Sequence, residues 1–234
     1  MLTAEGFIKE LQKHYDEKEL VKIDRFFKGN DYETKALGVR FGNVFAIAKT
    51  YKNLTIEEIE KLLDSNYYEV RMGAVTIMRH KARQKQTTEE VKEQLYHLYF
   101  RRHDRINNWD LVDAAAADVI GGYLYEKDRS PLYQLAQSEN VWERRTAIVS
   151  THYFIKQGDV QETFALAEIL RNDDNEYINK AVGSWVREAG KKDEKALLKF
   201  LESYASSLPR VTLRFAVEKL SAEQKKYYMS KKEN

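Results

Sequence analysis

The 234-residue chain has no cysteine, two prolines and ten glycines. Without cysteine there is no disulfide, no zinc-thiolate site and no cysteine nucleophile. With Pro131 and Pro209 as the only prolines and no Gly/Ser/Pro-rich linker, residues 1–234 read as a single domain. An excess of one charge is also lacking: 39 Lys and Arg against 37 Asp and Glu leave a net charge of +2, whereas nucleic-acid-binding domains are often plainly basic. No apolar run reaches the length of a membrane span. Met1 to Glu10 carries early charges and no apolar centre, so it is expected to be an amphipathic start rather than a signal peptide. The histidines, His14, His80, His97, His103 and His152, include no pair three or four apart, so neither metal nor cofactor is expected. Gly121-Gly122 is an isolated pair, better read as a helix end than as a phosphate-cradling loop.

What the chain does have is recurrence. An Asn-x-aromatic tripeptide stands at Asn30-Asp31-Tyr32, Asn66-Tyr67-Tyr68, Asn107-Asn108-Trp109, Asn140-Val141-Trp142 and Asn175-Glu176-Tyr177, with starts 36, 41, 33 and 35 residues apart. A period of this size, with few breakers, is the signature of stacked helical repeats. Asn caps a helix because its side-chain oxygen accepts a bond from a first-turn N–H. Each tripeptide is therefore expected to be the turn and cap that open the second helix of a pair. Short runs with strand character, Val39-Arg40-Phe41 and Thr151-His152-Tyr153-Phe154-Ile155, lie inside stretches with helical spacing. The expected fold is all-α, an α-solenoid of about six HEAT-like repeats with a concave groove.

Charge is clustered at Arg79 to Lys85, Arg101 to Arg105, Lys191-Lys192 and Lys225-Lys226. Such clusters can line a groove and track phosphates; solvated helix faces are the plainer reading. The most unusual stretch is Asn107 to Asp118. On a helix Trp109 and Asp113, four apart, share a face. A carboxylate beside an aromatic stabilises positive charge in a partly desolvated slot, or is an ordinary solvated Asp. Trp142 and Arg145, three apart, share a face too, and stacking of adjacent repeats is expected to bring Arg145 toward Asp113.

Several motifs in order resemble the bacterial DNA alkylation repair family, the HEAT-like-repeat, AlkD-like DNA glycosylases. They are Tyr68-Glu69-Val70-Arg71, Asn108-Trp109-Asp110-Leu111-Val112-Asp113, Ser138 to Val149, Lys180-Ala181-Val182-Gly183, Val186 to Lys191 and Leu208 to Ala216. The resemblance covers the chain from about Leu37 onward and is strongest from Asn107 to Ala216. It implies a monomeric hydrolase of base excision repair that removes cationic N3- or N7-alkylated purines from double-stranded DNA in the bacterial cytoplasm, at the nucleoid when acting. The catalytic Asp falls on Asp113, the lesion-side aromatic on Trp109 and the DNA-contacting Arg on Arg145. Arg71, Lys180 and Arg187 are further expected contacts to the DNA backbone.

Two departures stand out. The family run Gly-Trp-x-Leu-Arg-Glu is here Gly183-Ser184-Trp185-Val186-Arg187-Glu188, with Ser184 at the Trp position. One residue on a helix is a rotation of about 100°, so Trp185 is expected in the core rather than the groove. The family run Gly-Val-Arg-x-Pro-x-x-Arg is here Gly38 to Phe45, with Gly42 for proline and Phe45 for the second arginine, and the stretch from Lys28 to Leu37 is shorter and more acidic. Two alternatives follow: a weakly active or inactive DNA-binding paralogue, or a repeat scaffold for protein partners.

Overall fold

A computed structural model of the chain describes residues 2–23 and 33–231. Asn30-Asp31-Tyr32 and the start of the stretch from Lys28 to Leu37 lie outside the described residues. Those described are all-α; β pairing among them amounts to two isolated bridges, Tyr15 with Val39 and Lys35 with Tyr67. Thr151 to Ile155 is helical. Contacts divide the chain into two compact units, Met1–Tyr123 and Leu124–Asn234.

The first unit holds α1 (Ala4–Gln12), α2 (Glu17–Ile23), α3 (Phe41–Thr50), α4 (Ile56–Leu63), α5 (Tyr68–Ala82), α6 (Glu89–Arg101), a 3-10 turn (His103–Arg105) and α7 (Trp109–Ala116). Thr3, Thr55 and Thr88 cap α1, α4 and α6 by accepting first-turn N–H bonds, with Glu at the start of each helix to meet its dipole. Helices α3, α5 and α7 pack in succession, and α1, α4 and α6 cover them. That arrangement buries α5 on nearly every side, every residue from Tyr68 to Met78 being inaccessible. Phe7 of α1 reaches so close to Gly73 that a Cβ there would lie 2.3 Å from its ring.

Helix α7 does not end at the glycine pair, contrary to expectation. It runs through a π turn, Ala117–Gly121, into α8 (Gly122–Leu124). Gly122 keeps right-handed helical angles, so the extra residue is absorbed by a wider turn instead of terminating the helix.

The second unit holds α9 (Ser130–Ala136), α10 (Val141–Gln157), α11 (Gln161–Leu170), α12 (Glu176–Gly190), α13 (Glu194–Tyr204), α14 (Arg210–Ala216) and α15 (Ala222–Ser230). Pro131 sits in the first turn of α9 and Pro209 caps α14, positions where a missing N–H costs nothing. Gly158, at φ 89°, closes α10 with its N–H on the carbonyls of Phe154 and Ile155. Here α10, α12 and α14 pack in succession, with α9, α11 and α13 against them.

Among the described residues, the tripeptides at Asn66, Asn107, Asn140 and Asn175 stand at the starts of α5, α7, α10 and α12, but in two registers. Asn140 and Asn175 are the caps of α10 and α12, accepting from the N–H groups of Trp142 and Tyr177 at 2.9 Å each. In the first unit the asparagine stands one residue earlier. The cap of α7 is Asn108, and that of α5 is Tyr67, which makes no side-chain cap bond. Asn66 and Asn107 instead accept from arginines of other repeats, Arg105 at 3.0 Å and Arg71 at 3.4 Å.

Candidate active site

The first turn of α7 carries the candidate chemistry. Asn108, in extended backbone, accepts from the Trp109 N–H at 2.9 Å and starts the helix at Trp109. Leu111, Val112, Ala115 and Ala116 face the core. The opposite face leaves Trp109 half-buried and Asp113, one turn on, exposed.

Asp110 lies between them and turns inward. Its Oδ1 accepts from the hydroxyl of Tyr68, the first residue of α5, and from the N–H of Leu111 at 3.0 Å. The amide of Asn108 donates to the same Tyr68 oxygen at 3.0 Å. Burial pushes the Asp110 carboxyl above its ordinary pKa, and the Asp113 charge adds to the rise, against the Tyr68 and backbone bonds that pull it down. Burial and the neighbouring Asp110 raise the Tyr68 hydroxyl as well.

In the second unit Arg145 and Lys180 hold the same place in their helices as Asp113 does in α7, each the fifth residue after its cap. Arg145 is buried, at 7% exposure, and donates from Nη1 to the Tyr177 carbonyl at 2.6 Å, which ties α10 to the start of α12. Lys180 is half-exposed and pairs with Glu176 one turn back at 2.7 Å. The Trp142 and Tyr177 rings meet at 5.4 Å. Ser184 is half-buried on α12. Trp185 is partly buried and packs against Ile155, Val160 and Ala189, its ring 4.5 Å from that of His152.

Arg71 is not placed to contact a DNA backbone. It is 1% exposed, with Nη1 on the Ser65 carbonyl at 3.0 Å and Nη2 on Thr34 at 2.7 Å, and it lies over the Tyr68 ring. Its neighbour Glu69, fully buried, accepts from the N–H groups of Leu37, Gly38 and Val39 at 2.8 to 3.1 Å. These two charges anchor the segment before α3 to α5. Arg187 is likewise engaged, with Glu188 at 3.1 Å and Glu218 at 2.5 Å.

The basic clusters separate in the same way. Arg101 and Arg102 pair with Glu60 and Asp64, and Arg105 donates to the carbonyls of Leu63, Asp64 and Ser65, so that group clamps the end of α4. At the end of α5, burial and the charges of Arg79, Arg83, Lys49 and Lys52 hold His80 below its ordinary pKa, which marks a dense basic patch. Arg83 lies 3.9 Å from Asp118 of the π turn. Sequence reasoning did not single out Tyr68 or Asp110, although both stand in motifs that carry the resemblance and Asp110 is a second carboxylate three residues before Asp113.

Among the described residues no group of three or more His, Asp or Glu is gathered to hold a metal ion, and no helix is long and apolar enough to cross a membrane. Among solved structures, a predicted DNA alkylation repair enzyme from Enterococcus faecalis superposes with a TM-score of 0.68 at 16% identity, over 89% of this chain and 98% of its own. At that identity the likeness is one of fold. None of the curated proteins matches. The family model for DNA alkylation repair enzymes runs along the chain from residue 7 to residue 220, through both units and the whole of α7. The chain therefore belongs to the DNA alkylation repair enzyme family.

Proposed function

We propose that this family member hydrolyses the N-glycosidic bond of cationic N3- or N7-alkylated purines in duplex DNA, with Asp113 as its catalytic carboxylate. The observation that carries the reading is one face of α7, where an exposed carboxylate stands one turn from a half-buried tryptophan, opposite the buried Leu111, Val112, Ala115 and Ala116.

The chemistry asks little of an acid. An alkylated purine already carries a positive charge, so when the bond to C1′ breaks it takes the bonding electron pair and leaves neutral. The charge left behind develops on the sugar as an oxocarbenium ion. Asp113 stabilises that charge and orients the water that adds to C1′, whose proton passes to solvent. The products are a free base and an abasic site. The indole of Trp109 contacts the cationic nucleotide through its π face. Arg145, preset by its bond to the Tyr177 carbonyl, and Lys180, whose exposed pair with Glu176 contributes little, serve as phosphate contacts of the second unit.

The test incubates the protein and its Asp113→Asn variant with duplex containing N7-methylguanine or N3-methyladenine and scores free base and binding. Release by the unaltered protein, reduced ~10²- to 10³-fold in the variant with binding retained, is the expected result. A second reading, duplex binding without turnover, is favoured by one observation. With Ser184 at the family's Trp position and Trp185 packed inward, that aromatic contact is missing. It predicts salt-sensitive binding by both proteins and release by neither. Failure of both to bind at low salt excludes both readings.

A further inference from the structure

Between α5 and α7 the hydrogen bonds form a chain whose direction is fixed at every link. The Trp109 N–H can only donate, so the Asn108 atom it meets at 2.9 Å is the carbonyl oxygen, and the other end of that amide is the NH2 group. That NH2 donates to the Tyr68 oxygen at 3.0 Å, leaving the Tyr68 proton for Asp110 Oδ1, which also accepts from the Leu111 N–H. Tyr68 is fully buried and Asn108 is 7% exposed. The second Asp110 oxygen, Oδ2, is buried and has no hydrogen-bond partner among the described residues.

Holding a carboxyl here with one oxygen unsatisfied is unfavourable for stability alone. An ordinary helix start needs only the Asn108 cap. What the additional members accomplish is geometric: they tie the cap, the backbone of the first turn and the start of the preceding repeat helix into one body, on which Trp109 and Asp113 are the outward-facing side chains.

We propose that Tyr68, Asn108 and Asp110 are positioning residues that set the pose of Trp109 and Asp113 toward the bound nucleotide. The inference rests on the excision reading above. A displacement of about 1 Å at reacting groups costs up to ~10²-fold in rate, so a shift of the first turn of α7 registers in chemistry before it registers in binding.

The test uses Tyr68→Phe, which keeps the ring against Phe41 and Arg71 and removes only the shared hydroxyl, with Asp110→Asn and the double variant. Two readouts are taken on full-length protein of matched folded fraction: single-turnover base release, and fluorine NMR of 5-fluorotryptophan-labelled protein, with the Trp109 resonance assigned by Trp109→Phe. The expected result is a ~10- to 100-fold slower release at unchanged duplex affinity, with non-additive losses in the double variant. The Trp109 resonance moves, and those of Trp142 and Trp185 do not. Full rate in Tyr68→Phe, or losses that simply add, overturn the proposal. If the unaltered protein releases no base, the excision reading fails, and the spectrum decides the network alone: a Trp109 resonance unmoved in Tyr68→Phe overturns it, and a displaced one upholds it.

Discussion

Arg71 sets burial against charge most sharply. Its guanidinium is out of water yet engages the Ser65 carbonyl, Thr34 and Asn107, three groups from three turns. Only a planar fork with several fixed N–H directions meets them together. Arg71→Lys, which keeps the charge and loses the fork, is expected to destabilise the protein by roughly 2–4 kcal/mol, measured as a lower urea midpoint at unchanged slope; an unaltered midpoint contradicts the anchoring role. His80 makes a second prediction at this scale. Its folded pKa lies below its unfolded value, so between the two the unfolded chain binds the additional proton. Stability is therefore expected to fall as pH drops below about 6.5 and to level off below the folded pKa. His80→Gln removes that part of the slope in denaturation curves taken from pH 7 to 5. Neither role was legible in the sequence, where Arg71 matched a motif and His80 sat in a charge run.

At the scale of the helix, the sequence located the starts of second helices but not their register. The cap is a local bond, and Asn140 and Asn175 make it where the tripeptide predicts. Asn66 and Asn107 accept instead from Arg105 and Arg71, side chains a repeat away, and Arg71, being buried, needs such an acceptor. Close approach of helices is likewise invisible locally. A Cβ at Gly183 would stand 2.5 Å from the Thr212 carbonyl oxygen and 2.7 Å from the Phe215 Cβ, so α12 and α14 touch through backbone. Gly183→Ala is expected to cost about 1–3 kcal/mol by forcing them apart, despite alanine's better helix propensity. A stabilised Gly183→Ala variant in thermal denaturation contradicts that packing.

For the whole molecule, a net charge of +2 would suggest indifference to DNA. Distribution matters more than the sum, because many basic residues are committed to acids or carbonyls, while others, such as Lys180 in its exposed pair, can exchange partners. Duplex affinity is expected to fall steeply with salt, and Lys180→Ala to reduce the slope of log K against log salt by about one. An unchanged slope removes Lys180 from the set of phosphate contacts. The proposal that residues 1–234 form one domain has its own measurement: calorimetry is expected to give one transition, and two resolved transitions assign the compact units separate stabilities.

The sequence alone determined that this is an all-α chain without thiol chemistry, built on a repeat in the thirties to forties, and it placed Trp109 and Asp113 on one face of one helix. All of that follows from what is local: helical periodicity, first-turn caps and spacing. Only the tertiary structure decided which charges meet water. Asp110 and Asp113 differ by less than one helical turn, yet one lies under Tyr68 and the other faces outward. Arg71 stood in the sequence as a DNA contact, and packing buried it as an anchor between turns. Burial depends on side chains that approach from far along the chain, 42 residues in the bond from Tyr68 to Asp110 and 32 in that from Arg145 to Tyr177, and no local pattern encodes that approach.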